Sequence, residues 1–147
     1  SFFQYKLRSM VINAEALKAD LAHLNEQSGP AFKIKKDPRL TRVGKFIRKF
    51  SIDELPQLFN VVMGDMNLIG PRPPVPQEVK QYTTKQMRRL SMKPGVTGLW
   101  QVSGRNDLKK FEDWVKLDLE YIDNWNLALD FKIALKTVFV VISGSGR

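Results

Sequence analysis

The chain has 147 residues, of which 43% are hydrophobic, and it includes three tryptophans and no cysteine. This length and apolar content are typical of one folded domain and exclude a disordered chain. The absence of cysteine excludes disulfides and thiolate chemistry, and the single histidine, His23, cannot build a zinc site without cysteine partners. No run of about 18 apolar residues occurs, so no membrane-spanning helix is predicted here.

The formal charge of +9 is concentrated in one block of the chain. Only one acid, Asp37, lies within this block, whose basic residues are Lys33, Lys35, Lys36, Arg39, Arg42, Lys45, Arg48 and Lys49. Such a block is typical of proteins that bind polyanions, which include nucleic acid, anionic lipid head groups and phosphorylated small molecules. A solvated basic face without any ligand explains the charge equally well.

The first third of the chain predicts a short strand and two helices. Residues 2–12 mix aromatic and β-branched residues with charge, which favours a strand. Residues 13–25 carry apolar residues at helical spacing, and the helix ends before Gly29-Pro30. Thr41 is a candidate N-cap for a helix through Phe50. The predicted core-facing side of that helix comprises Val43, Phe46, Ile47 and Phe50.

Helices also dominate the second half of the predicted fold. A proline-rich loop over residues 70–76 precedes a largely helical segment, 77–90. Acidic and apolar residues alternate at helical spacing over 107–124, and a terminal amphipathic helix is predicted over 127–142. The expected class is therefore α+β, mainly α-helical with a few short strands, in a single compact domain.

Ser51-Ile52-Asp53-Glu54 has the pattern of a helix start, with Ser51 and Glu54 forming a capping box. Acids in a first helical turn stabilise the helix dipole and need no other purpose. The same helix end would also keep Asp53 ionised, and a carboxylate can form an acyl phosphate when cations neutralise the target phosphate. Adjacent helical residues point about 100° apart, so one carboxylate could attack while the other holds a metal ion.

Two loops carry candidate phosphate-binding residues. Pro71 and Pro73 fix the backbone around Arg72, so its guanidinium, which suits bidentate phosphate recognition, has less entropy to lose. Glycines over 94–104 allow a close backbone approach to a phosphate, and Arg105 adds a charge. Each loop alone could equally be a connector. Together with a carboxylate pair, the loops suit phosphoryl transfer, in which positioning and charge neutralisation carry most of the rate.

Several motifs, in order along the chain, resemble the bacterial sugar transferase family, the monotopic polyprenyl-phosphate phosphoglycosyl transferases. The matching segments are Tyr5–Met10, Asp37–Gly44, Ser51–Val61, Gly64–Met66, Leu68–Pro73, Lys93–Gly98 and Gln101–Asn106. The resemblance implies transfer of a sugar 1-phosphate from a UDP-sugar to undecaprenyl phosphate, with release of UMP. It further implies that this is the first membrane step of exopolysaccharide, capsule or O-antigen synthesis, at the cytoplasmic face of the bacterial inner membrane.

The same resemblance implies roles for individual residues. Asp53 would be the nucleophile that forms a covalent phosphosugar intermediate, and Glu54 would be a ligand of Mg²⁺. Lys6 and Arg48 would support the carboxylate and the phosphates. The implied substrate-binding residues are Arg8, Pro71, Arg72, Pro73, Gln101 and Arg105.

Family members also carry a re-entrant membrane helix ahead of the region where this chain starts. We therefore expect residues 1–147 to be the catalytic domain without its N-terminal membrane-anchoring segment, resting on anionic lipid through basic and amphipathic surfaces. The expected partners are a UDP-sugar, undecaprenyl phosphate and an anionic membrane surface, and no nucleic acid.

Two other interpretations are open. The basic block suggests a nucleic-acid-binding module, although such modules usually show exposed stacking aromatics or a recognisable signature, which this sequence lacks. An inactive scaffold fragment of the same fold is the other interpretation, and the intact Asp53-Glu54 pair argues against it.

Overall fold

The computed structural model describes residues 1–104, 108 and 110–144. The α-helices are α1 (Arg42–Lys49), α2 (Gln57–Val62), α3 (Pro76–Val79), α4 (Thr84–Met87), α5 (Leu99–Val102), α6 (Phe111–Asp123) and α7 (Leu127–Ile142). The strands are β1 (Asn67–Ile69) and β2 (Gly95–Thr97), and 3₁₀ turns cover Ala16–Lys18, Ala22–Leu24, Ile52–Glu54 and Arg88–Ser91. Helices outweigh strands, which confirms the predicted mainly helical class.

The main core lies against helix α6. Its buried residues are Ala31, Trp100, Phe111, Trp114, Val115 and Leu119. Trp100 on α5 stacks on Trp114 of α6, with their ring centroids 4.5 Å apart. An aromatic pair of this kind contributes about 0.5–1.5 kcal/mol beyond the burial of its area. The stack fixes the short helix α5 relative to the longer α6.

Strands β1 and β2 form a parallel pair, with Asn67 opposite Gly95 and Ile69 opposite Thr97. The backbone approaches so closely here that a Cβ atom on Gly95 would lie 2.1 Å from the nitrogen of Gly70. Glycine is therefore required at this position. The pairing places the proline-rich loop that follows β1 next to α5, which follows β2.

The N-terminal segment differs from its prediction. Within the described residues it contains no strand, and its pairing with the loop at Leu40 is limited to a single antiparallel bridge from Met10. Its backbone groups instead bond to scattered partners, because Tyr5 N–H donates to Asn60 Oδ1 and Leu7 N–H donates to the carbonyl of Asp53. Residues 2–12 therefore form an extended segment across the body of the protein, and we call this segment the N-terminal strap.

Residues 13–25 form two 3₁₀ turns and not the predicted helix. The prediction rested on spaced apolar residues, yet Leu24 is exposed and neither turn buries a residue. A helix this short is marginal in water without a packed face, so the segment has little to stabilise it.

The predicted capping box at Ser51 is also wrong. Ser51 adopts a left-handed conformation with φ of 54° and makes no side-chain capping bond, and helix α2 starts only at Gln57. A left-handed conformation is strained for serine, and here it turns the chain so that the residues after Ser51 approach the N-terminal strap.

The segment 77–90 is divided into α3 and α4, because Thr83 and Gln86 form a capping box that starts a new helix.

Helix α7 has the predicted bounds. The predicted core-facing side of α1 is wrong, because Val43 and Phe46 are exposed. Helix α7 buries Ile133 and exposes lysines alongside several large apolar side chains, which are Leu127, Phe131, Leu135, Val138, Phe139 and Ile142. Among the described residues, none of the helices has both the length and the apolar character needed to cross a bilayer. Periodicity identified these helices but could not tell which apolar side faces outward.

Candidate active site

The Ile52–Glu54 turn and the N-terminal strap meet through two contacts. The backbone N–H of Leu7 donates to the carbonyl oxygen of Asp53 at 3.0 Å. One residue earlier, Lys6 Nζ lies 3.2 Å from Glu54 Oε1. The family resemblance assigns Lys6 and Glu54 to the reaction centre. These two residues are far apart in sequence and adjacent in the structure.

Arg48 reaches the same turn from helix α1. Its Nε lies 3.8 Å from Asp53 Oδ2 and donates a hydrogen bond of 2.9 Å to Ser9 Oγ. Helix α1 lies so close to the strap that a Cβ atom on Gly44 would be 1.8 Å from the carbonyl oxygen of Ser9. Gly44 therefore permits the approach that positions Arg48.

Burial controls the ionisation of Asp53, which is 7% exposed. Loss of solvent raises the pKa of Asp53 above its usual value, and the neighbouring Glu54 carboxylate raises it further. Lys6 and Arg48 oppose this rise, and burial in turn lowers the pKa of the Arg48 guanidinium. The pKa of Asp53 is not lowered by a helix end as expected, because the residue lies in a short 3₁₀ turn where desolvation has the largest effect.

A cavity of about 130 Å³ opens over this turn. Its lining contains two carboxylates and four cations, and its members are Lys6, Ala31, Phe32, Lys33, Arg48, Asp53, Glu54, Arg72, Trp100 and Trp114. An excess of cations around the buried Asp53 carboxylate suits an anionic ligand such as a phosphate, which the cations would bring close to that carboxylate. We call this space the cationic cavity.

Arg72 is held in this lining from two directions. Its Nη1 lies 3.6 Å from Glu78 Oε1, and its backbone carbonyl accepts a hydrogen bond of 3.4 Å from Arg89. Pro71 is fully buried, and its carbonyl accepts from Gly95 N–H at 2.9 Å. The loop therefore presents Arg72 from a fixed backbone, as expected from its prolines.

A second, smaller cavity of about 40 Å³ adjoins the first, and we call it the amide cavity. Its lining residues are Gln4, Lys6, Glu54, Gln57, Arg72, Pro73, Gly95, Val96, Trp100 and Gln101. Three predicted substrate-binding residues, Arg72, Pro73 and Gln101, therefore lie here.

Three other predicted substrate-binding residues are not placed in these cavities. Arg8 is exposed and Pro71 is fully buried, and neither of them lines either cavity. Arg105 lies outside the described residues. Sequence reasoning missed Lys33, Gln57 and Trp100 as lining residues. Lys33 belongs to the basic block, Gln57 lies in a family motif and Trp100 lies between two of them, but no local pattern distinguishes these residues from structural ones.

Part of the basic block has a structural use. Arg39 is buried, forms an ion pair of 2.6 Å with Asp37 and donates to the carbonyl of Ala14 at 3.1 Å. The hydrogen bond from Arg39 lowers the pKa of the Asp37 carboxyl. Because Arg39 points inward and Arg48 serves the turn at Asp53, the block is not one continuous face for a polyanion.

The fit of a metal ion depends on the carboxylates of the same turn. Within the part of the chain that the structure describes, no group of three or more His, Cys, Asp or Glu side chains could hold a metal ion. Mg²⁺ commonly binds through one or two carboxylates together with substrate phosphates and water. Glu54, which lines both cavities, fits that pattern, whereas an all-protein cage for a metal does not.

Comparison with known proteins shows the family of the chain. The sequence model of the bacterial sugar transferase family matches residues 1–144, and the chain belongs to this family. The galactosyl transferase CpsE of Streptococcus agalactiae is 54% identical over 142 residues, which cover 97% of this chain and 32% of the relative.

Two further relatives carry names that include a lipid phosphate. The undecaprenyl-phosphate galactose phosphotransferase of Salmonella typhimurium is 51% identical over 146 residues, covering 97% of this chain and 30% of the relative. The UDP-glucose:undecaprenyl-phosphate glucose-1-phosphate transferase of Klebsiella pneumoniae is 46% identical over 112 residues, covering 71% of this chain and 24% of the relative. The chain thus spans about a third, or less, of the length of these relatives.

Proposed function

We propose that the protein transfers a sugar 1-phosphate from a UDP-sugar to undecaprenyl phosphate and releases UMP. The observation that carries the proposal is the buried Asp53 carboxylate in a cavity whose lining holds four cations. Membership of the bacterial sugar transferase family supports it, as do the relatives named for an undecaprenyl-phosphate acceptor. These relatives are named for galactose or glucose, so a UDP-hexose is the donor to test first.

In the proposed first step, an oxygen of the Asp53 carboxylate attacks the β-phosphorus of the UDP-sugar. The bond from this phosphorus to the bridging oxygen breaks, UMP leaves with that oxygen, and the sugar phosphate is held as an acyl phosphate on Asp53. In the second step, a phosphate oxygen of undecaprenyl phosphate attacks the same phosphorus. The Asp53 carboxylate is released, and the product is an undecaprenyl diphosphate sugar.

The surrounding side chains have separable roles in this proposal. Arg48 orients the Asp53 carboxylate, and Lys6 does the same for Glu54, in agreement with the distances of 3.8 and 3.2 Å. Arg72 and Lys33 neutralise the phosphates of the donor. Glu54 would hold Mg²⁺ together with substrate phosphates, and the ion would neutralise charge on the phosphoryl oxygens.

We further propose that the protein works on the cytoplasmic face of the bacterial inner membrane. Helices α1, α2 and α7 expose large apolar side chains, among them Phe46, Phe59 and Phe139. Exposed lysines accompany them, for example Lys45 on α1 and Lys132 on α7. Exposed apolar side chains accompanied by lysines on the same helix are typical of proteins that rest on anionic lipid.

The test is a transfer assay with the full-length protein in vesicles, Mg²⁺, undecaprenyl phosphate, and either UDP-galactose or UDP-glucose. We expect UMP release with at least one donor and loss of turnover by at least 10³-fold in Asp53→Asn, because the amide is not a nucleophile. Asp20→Asn, at an exposed position away from both cavities, is the matched control. Near-normal turnover by Asp53→Asn would refute the assignment of the nucleophile.

A further inference from the structure

Three polar side chains of the amide cavity have atoms without a partner. Gln57 and Trp100 are 1% and 4% exposed, and Gln101 is half-buried. Gln57 Nε2, Trp100 Nε1 and Gln101 Oε1 are all buried and make no hydrogen bond to any described residue. Most buried polar atoms in proteins do have partners, so three unpaired ones around one cavity need an explanation. A ligand that fills the cavity would supply one.

The unpaired atoms define the chemistry of that ligand. The Gln57 amide nitrogen and the Trp100 indole nitrogen are donors, and the Gln101 amide oxygen is an acceptor. The other amide atom of Gln101 is already used, because Nε2 donates to the carbonyl of Val96 at 3.2 Å. A hydroxyl group both donates and accepts, so it can satisfy either kind of atom. Neutral amide and indole groups do not favour a charged ligand over a neutral one.

The size of the amide cavity further limits which ligand can enter it. A water-sized group needs about 10–15 Å³ of such space. The amide cavity, at about 40 Å³, therefore has room for about three hydroxyl-sized groups and not for a whole ring, so only the edge of a ligand can enter it. The polar edge of a sugar fits, and comparison of UDP-sugar with UDP distinguishes it from the edge of a uracil base.

The position of the cavity connects it to the phosphate chemistry. Lys6, Glu54, Arg72 and Trp100 line both the amide cavity and the cationic cavity. A phosphate held by Lys6 and Arg72 would therefore have its attached group at the entrance to the amide cavity. In a sugar 1-phosphate, ring hydroxyls are only a few bonds from the phosphorus, which is within this reach.

We propose that Gln57, Trp100 and Gln101 bind hydroxyl groups of the transferred sugar and help determine which sugar the enzyme accepts. The inference rests on the proposed function, since it takes the phosphate in the cationic cavity to be that of a UDP-sugar. Gln57 and Trp100 are specificity-determining residues in this account, and the ligand they recognise is the uncharged hexose.

The test compares the binding of UDP-galactose, UDP-glucose and UDP to the full-length protein by titration calorimetry. Asp53→Asn serves as the background so that no donor is consumed. Adding Gln57→Met removes the amide at similar size, and we expect it to weaken the tighter-binding UDP-sugar about tenfold while UDP changes less than about twofold. Deoxy-sugar donors sharpen the test, because removal of the contacted hydroxyl should weaken binding to the background protein and not to Gln57→Met.

Gln27→Met is the matched control. Gln27 is 5% exposed, both of its amide atoms are without a partner among the described residues, and it lines neither cavity. Its substitution should leave the ratio of UDP-sugar to UDP affinity unchanged. If Gln57→Met does not fold, Trp100→Phe removes the indole donor, keeps an aromatic ring against Trp114, and should show the same selective loss.

The outcomes separate this inference from the proposed function. Equal weakening of UDP and UDP-sugar in Gln57→Met, or no weakening of either, would overturn the sugar site even if the wild type releases UMP normally. Selective loss of UDP-sugar binding without any UMP release by the wild type would support the sugar site and refute the transfer reaction. No UDP-sugar binding by the wild type at all would overturn both.

Discussion

Arg89 and Asp118 form an ion pair of 2.7 Å, and both side chains are almost completely buried. The same guanidinium donates to the hydroxyl of Tyr82 at 2.7 Å and to the backbone carbonyl of Arg72. This pair therefore joins the core around α6 to the loop that presents Arg72 to the cationic cavity. Its removal should affect both the stability of the fold and the position of Arg72.

We expect Arg89→Met to lower the free energy of unfolding by about 3–5 kcal/mol, because it leaves the Asp118 carboxylate buried without its partner. Urea denaturation followed by fluorescence measures this change. The neighbouring Arg88→Met is the matched control, since Arg88 pairs with Asp123 at the surface and should cost less than about 1 kcal/mol. Equal losses for the two variants would contradict the structural role of the buried pair.

Asp118 should also give the protein a pH-dependent stability. Burial raises the pKa of Asp118 from 3.8 to about 6, although Arg89 opposes the rise. The folded state therefore holds a proton that the unfolded state has lost between these pH values, and stability falls as pH rises from about 4 to about 6. The shift corresponds to roughly 3 kcal/mol for this group. Denaturation midpoints across that range should show the fall in the wild type and a smaller fall in Asp118→Asn, and parallel curves would contradict it.

Gly44→Ala should disturb the site from a distance. The added methyl group would meet the carbonyl oxygen of Ser9, so helix α1 must move away from the strap. We expect a loss of about 1–3 kcal/mol in unfolding free energy and reduced turnover, because Arg48 moves away from Asp53. Gly64→Ala is the comparison, since a Cβ there would meet nothing within 4 Å. It should lose stability only through its positive φ and keep normal turnover per folded molecule.

Ser51→Gly should stabilise the protein. Ser51 is the one described residue other than glycine with a positive φ, and a left-handed conformation costs most side chains about 1 kcal/mol or more. Glycine adopts it freely, so we expect a gain of about 0.5–1 kcal/mol after its larger loss of backbone entropy. Chemical denaturation measures the gain. A loss of stability in Ser51→Gly would mean that the serine side chain makes a stabilising contribution greater than the strain.

Local patterns predicted those parts of the fold whose signals are local. Helix α7 has its predicted bounds because an Asn126 cap and a continuous apolar repeat define it, with Leu129 N–H donating to the Asn126 side chain at 2.9 Å. The 3₁₀ turn at Asp53 could not be predicted, since a long-range bond from Leu7 and the left-handed Ser51 override the capping pattern. The exposure of Phe46 could not be predicted either, because periodicity shows that a helix has an apolar face and not which element covers that face.

The residues of the candidate site were predicted from the family resemblance more than from their physical chemistry. Asp53, Glu54, Lys6 and Arg48 do lie together, but nothing in the spacing of Lys6 and Glu54 indicates a contact. The Arg89–Asp118 pair lies outside any motif that the sequence offered, because buried charges separated along the chain have no local signature. The unpaired amide of Gln57 likewise becomes evident only when the cavity around it is known.

The most direct test of the account is to trap the sugar phosphate on Asp53. The full-length protein is incubated with its UDP-sugar in the absence of undecaprenyl phosphate, quenched with acid, digested and analysed by mass spectrometry. We expect a hexose phosphate adduct on Asp53 that disappears when undecaprenyl phosphate is added before the quench. Normal turnover with no adduct, or with an adduct on another residue, would contradict it.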